Sequence, residues 1–124
     1  MFEIGLFTFL SNAQTSAGDR VYPRKLKQGA QLPALVYFKV SGGINYVSNG
    51  QSGLETPRYQ INCWAETYIA ARALADEVKT LLSGYQGAMG NETVTAAFIE
   101  DDQDDDDPET EREMVRLDVI IHHQ

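Results

Sequence analysis

Residues 58–82 read RYQINCWAETYIAARALADEVKTLL, and a change of period inside this stretch decides the fold. Tyr59, Ile61 and Cys63 alternate with Arg58, Gln60, Asn62 and Trp64, which predicts a strand with one apolar face. From about Thr67 the apolar residues recur at steps of three and four: Ala71, Leu74, Ala75, Val78, Leu81, Leu82 and Tyr85. Arg72, Asp76, Glu77 and Lys79 fall between them, so the spacing predicts an amphipathic helix. Thr67 or Glu66 is suited to cap its start, and Gly84 is placed to end it.

Upstream, Val36, Phe38 and Val40 alternate with Tyr37, Lys39 and Ser41, a second half-buried strand with the first set inward. Residues 42–57 hold glycines, serines and asparagines, so they read as a long hairpin connection. Residues 14–33 read as a lightly basic loop or arm carrying Arg20, Arg24, Lys25 and Lys27. Residues 2–13 read as a short helix with Phe2, Leu6, Phe9 and Leu10 on one face, although Gly5 weakens it. Downstream, Val94, Ala96 and Phe98 alternate with Thr93, Thr95 and Ala97. A last strand sets Val115, Leu117, Val119 and Ile121 against Arg116, Asp118, Ile120 and His122. The expected fold is α+β: a single antiparallel-type sheet of about four strands in the order hairpin, helix, hairpin. The long helix and the short N-terminal one pack on one face, and residues 1–124 form one domain.

The chain has 124 residues, 18 acidic and 10 basic, for a formal charge of −8. Ten of the acids lie between Glu100 and Glu113: Glu100, Asp101, Asp102, Asp104, Asp105, Asp106, Asp107, Glu109, Glu111 and Glu113, with Arg112 the only base. Setting that window aside leaves eight acids and nine bases, a nearly neutral body. The segment 100–113 therefore reads as a solvated, mutually repelling acidic hairpin tip. Net negative charge disfavours nucleic-acid phosphate or anionic lipid as the main partner. The single cysteine, Cys63, precludes an internal disulfide. No apolar window reaches the ~20 residues of a membrane span, and no basic leader precedes an apolar run. The chain reads as a protein made in a reducing cytoplasm.

No nucleophile elbow, phosphate loop or dinucleotide fingerprint is present. Gly84, Gly87 and Gly90 lack the lysine of a phosphate cradle and read as a turn. His122 and His123 point to opposite faces of a strand and read as a frayed tail. Cys63 reads as a small buried hydrophobe. Asp102, Asp104, Asp106 and Glu113 imitate positions one, three, five and twelve of a calcium loop, but Asp107 and Pro108 replace its glycine turn. Trp64 falls on the polar side of its strand with Tyr37 and Ile120, and these three are the candidates for a subunit interface.

Three stretches carry a resemblance: Asp19-Arg20-Val21-Tyr22-Pro23, Leu32-Pro33-Ala34-Leu35-Val36-Tyr37-Phe38-Lys39-Val40-Ser41, and Arg58 through Tyr68 running into the helix. Together they resemble the tail-completion proteins of long-tailed bacteriophages, also called head-to-tail joining or tail-terminator-like proteins. The likeness covers residues 1–85 well and the second hairpin in outline. Cys63, where an acid is common, and the long acidic insertion depart from the pattern. The resemblance implies a structural virion protein with no catalysis and no cofactor, assembled in the host cytoplasm as a homohexameric ring. Such a ring closes the head-proximal end of the tail tube, meets tail tube and head-connector proteins, and lets DNA through its lumen. The acidic residues Asp101, Asp102, Asp104, Asp105, Asp106, Asp107 and Glu109 would then line the lumen or face a basic ring partner. The rival reading is an acidic-loop, calcium-responsive binding module.

Overall fold

A computed structural model describes residues 2–26, 29–41, 44–47, 50–90, 92–107 and 112–123, with the backbone alone at 44–47, 50–55, 106 and 107. In chain order the elements are α1 (Phe2–Ser11), β1 (Val21–Pro23), β2 (Ala34–Ser41), β3 (Ile44–Val47), β4 (Gly50–Glu55), β5 (Arg58–Ala65), α2 (Tyr68–Leu82), β6 (Gly87–Met89), β7 (Glu92–Asp107) and β8 (Arg112–His123). No helix among the described residues is long and apolar enough to cross a membrane.

The expected four-stranded sheet is overturned: eight strand segments form one curled, mixed sheet with two short helices. β2 and β3 pair in turn with β5 and β4, and both β4 and β5 pair with β8. The eight segments therefore lie in six lanes, ordered β1, β2/β3, β4/β5, β8, β7, β6. β1 runs parallel to β2, which makes the sheet mixed. Part of the stretch read as a glycine- and serine-rich connection is strand, because ladder pairing with flanking lanes overrides weak local propensity. The acidic segment likewise continues β7 to Asp107, and residues 108–111, with Glu109, lie outside the described residues.

α2 forms where the period of three to four begins. Thr67 caps it by accepting from the Ala70 N–H at 3.2 Å, and Ala71, Leu74, Ala75, Val78 and Leu82 are buried. Gly84 follows at φ +75° and donates its N–H to the Ala97 carbonyl at 2.9 Å, tying the helix end to β7. On β5 and β8 the alternation is as read, with Tyr59, Ile61, Cys63, Val115, Leu117, Val119 and Ile121 buried against the helices.

On β2 it is not. Unbroken pairing places Tyr37 opposite Ile61 and Leu35 opposite Cys63, so Leu35 and Tyr37 face the core rather than Val36, Phe38 and Val40. On β7, a register shift between Val94 and Ala96 inserts an extra residue and reverses the faces. Val94 and Ala97 are buried and Ile99 packs on the core, while Phe98 is 53 % exposed. His123 is not a frayed end: it is buried in β8 and stacks on Phe2 at 4.0 Å.

α1 touches both edge strands, β1 and β6, so the sheet curls round the helix layer until its two edges meet α1. Gly5 makes the second contact possible: a Cβ there would stand 2.4 Å from the Met89 carbonyl oxygen. The glycine that weakens α1 as a helix is what allows it to dock.

Candidate functional site

The acidic strand is the most unusual chemistry in the molecule, and its charges are largely matched from within. A second register shift, between Ile99 and Asp101, turns Asp102 and Asp104 toward the face covered by α2. There Arg72 and Lys79, two turns apart on the helix, meet them. Arg72 grips Asp102 with both terminal nitrogens, at 2.6 and 3.1 Å, and Lys79 Nζ reaches Asp102 Oδ2 at 2.7 Å. Arg72 also donates to Asp104 at 3.2 Å, and the Tyr68 hydroxyl donates to the same carboxylate at 3.0 Å.

The hydrogen bonds from Arg72 hold the Asp102 carboxyl below the usual carboxylate range, and the same contact pushes the Arg72 guanidinium up. On the opposite face Arg116 pairs with Asp105 at 2.7 Å, and Arg58 lies 3.5 Å from Glu100. Asp101 is exposed and accepts from the Asp102 N–H at 2.8 Å and Gln103 Nε2 at 2.7 Å. The reading of a bare, mutually repelling loop is therefore corrected: the described part is a strand in which Glu100, Asp102, Asp104 and Asp105 meet four bases on α2, β5 and β8. The sequence carried a signal for this. Tyr68, Arg72 and Lys79 share a helix flank at spacings of four and seven.

The calcium-loop spacing does not become a calcium loop, because Asp102 and Asp104 stand in β7 and face cations. Among the described residues no group of three or more His, Cys, Asp or Glu side chains is arranged to hold a metal ion.

Trp64, Tyr37 and Ile120 do not form one patch. Tyr37 is buried on the helix-covered face. Trp64 is half-buried between its neighbours Ala34 and Met114 on the other face. Ile120 lies six residues further along β8 than Met114, about 20 Å at ~3.3 Å per residue, and sits beside Phe98. Among the described residues the large apolar side chains that do stand out are Ile4, Phe7, Val40, Tyr68, Ile69 and Phe98, with Ile69 at 80 % exposure. Tyr68 and Ile69 precede the main apolar stripe of α2, and Ile69 falls on the opposite side of the helix, with Arg72 and Asp76.

A groove of about 840 Å³ lies between α1 and β1–β2, lined by Ile4, Phe7, Pro23 and Tyr37 and rimmed by Arg24 and Lys39. Its one carboxylate, Glu3, accepts from the Tyr59 hydroxyl and stands 3.5 Å from Lys39 Nζ. Burial raises the Glu3 carboxyl, but those two partners outweigh it and leave the group lowered. The groove is thus an apolar trough with its acid tied to a cation.

Cys63 is fully buried, and burial pushes its thiol up, away from the reactive thiolate. Its alkylation by iodoacetamide at pH 8 is expected to be negligible in native protein and rapid in 6 M guanidinium; rapid labelling without denaturant would contradict the burial.

The fold is a mixed sheet curled round two short helices, with bases set against the acidic strand. A solved chain from the "Virion of native gene transfer agent (GTA) particle" shares this fold, at a TM-score of 0.63 and 10% identity over 97% of this chain and 93% of that one. The model of the family described as "Tail completion protein gp17" matches residues 7–124, so the chain belongs to that family. It is a structural protein of the phage tail, located in the virion. No curated protein matches the sequence.

Proposed function

We propose that the chain is a ring-forming subunit that completes the tail tube at its head-proximal end and joins it to the head connector. Membership of the tail-completion family across residues 7–124 carries this reading. The exposed apolar side chains at both ends of the helix layer, Ile4 and Phe7 on α1 and Tyr68 and Ile69 on α2, support it, since such surfaces seek partners. A homohexamer closes by head-to-tail contacts, contacts tail tube protein on one side and connector proteins on the other, and passes DNA through its lumen. The acidic end of the β7–β8 hairpin faces that lumen, where like charge keeps DNA from sticking.

Electron microscopy of tails assembled without the chain tests the reading. Tails of uncontrolled length, or tails unable to join heads, are expected; normal infectious particles would overturn it. Asp101, Asp106 and Asp107 can be changed to Asn together without touching the described ion pairs. If that variant loses salt-dependent head joining, the acidic end docks a partner instead of lining the lumen.

A further inference from the structure

The α1–β2 groove and the exposed start of α2 are complementary, and they lie on opposite flanks of the molecule. The groove sits by the β1 and β2 lanes and is apolar at Ile4, 63 % exposed, and Phe7, 38 % exposed. Its lining carries two cations, Arg24 and Lys39, against one acid, Glu3, which stands 3.5 Å from Lys39. At the other flank, beside β7, Tyr68 and Ile69 project from the first turn of α2 at 49 % and 80 % exposure. Glu66 is exposed next to them as their flanking acid, while Asp104, which accepts from Tyr68, is already matched by Arg72. One surface is a basic-rimmed apolar trough and the other an acid-flanked apolar knob. They share no residue, so both can be used at once. That is the requirement for a heterologous contact that propagates from copy to copy and closes into a ring.

We infer that Tyr68 and Ile69 of one copy seat in the Ile4–Phe7 groove of the next, with Glu66 facing Lys39 and Arg24. This contact rests on the ring reading above and supplies its subunit joint. Burial of Ile69 provides the affinity, while the flanking charges set orientation and suppress the groove-to-groove pairing of like charge.

Two variants at exposed positions test it, Ile69→Asp on the knob and Ile4→Asp on the groove, measured by light scattering on the full chain with thermal melts as the folding control. Each alone is expected to weaken self-association by about tenfold or more. Mixed in equal amounts they should form one-to-one pairs and nothing larger, because only one intact knob meets one intact groove. Should either variant fail to melt cooperatively, the charge exchange replaces it: Glu66→Lys weakens assembly and Lys39→Glu restores it. Rings of wild-type size from the single variants, or no pairing in the mixture, would overturn the contact while leaving the ring intact. A wild-type chain that stays monomeric both alone and on tail tubes would overturn the ring reading itself, and this contact with it.

Discussion

Replacing Gly5 by alanine is expected to lower the melting temperature by about 10 °C. The added Cβ would stand 2.4 Å from the Met89 carbonyl oxygen, 2.8 Å from its carbon and 2.9 Å from the Gly90 nitrogen. All three are backbone atoms, so no side-chain rotation relieves them; α1 or β6 must move. Overpacking of this kind costs roughly 1–3 kcal/mol, and a rigid backbone neighbour puts it at the upper end. Alanine returns up to about 1 kcal/mol through better helix propensity, leaving a net loss near ~2 kcal/mol. The reciprocal Gly90→Ala variant meets Gly5 Cα at 2.6 Å and sits at φ +66°, so it should fall at least as far. Ile4→Ala, on the exposed side of the same helix, is the control and should change little. An unshifted melt for Gly5→Ala would mean that α1 does not close the sheet against β6.

Arg72→Leu is the second large effect. It deprives Asp102 of its two-pronged partner and Asp104 of one donor, leaving Lys79 and Tyr68. Loss of a charge-assisted pair with the partner left in place costs roughly 1.5–3 kcal/mol, trimmed by the partial exposure of this site to about 1–2 kcal/mol at neutral pH. The pH dependence carries the diagnosis. Because the folded-state pKa of Asp102 is depressed, its contribution is complete above the ordinary aspartate value of about 3.9 and fades as pH falls through the lower folded value. The gap between wild type and variant in urea denaturation should therefore be full at pH 7 and shrink below about pH 4. A gap that stays unchanged well below pH 4 would assign the loss to packing of the Arg72 stem rather than to charge.

These two sites differ in how far the residues foretell them. The strand–helix junction at residues 58–82 is legible because each period reports burial on one element: β5 alternates as its residues do, and of the two predicted caps, Thr67 and Glu66, it is Thr67 that precedes α2. β8 is legible for the same reason. The N-terminal helix is legible in outline, but the role of Gly5 is not, since its partner at Met89–Gly90 lies more than eighty residues away. β3 and β4 escape a local reading because glycine, serine and asparagine have turn propensity, and only neighbouring lanes make them strands. The faces of Tyr37 and Phe98 escape it too. Strand alternation states which residues share a face, but pairing and bulges decide which face is covered.

What the sequence by itself determined is the composition of the parts: one amphipathic helix, strands with apolar faces, a nearly neutral body and charge concentrated in one segment. Three stretches of it also carried the likeness to tail-completion proteins. Tertiary structure alone decided the number of lanes, the curl of the sheet round α1, and the state of the acidic residues. Seven aspartates and glutamates between Glu100 and Asp107 repel one another when read along the chain. They become strand because a bulge aims two of them at Arg72 and Lys79, cations brought there from a helix more than twenty residues upstream. Charge along a chain is additive and local, whereas its neutralisation depends on which distant element is folded against it.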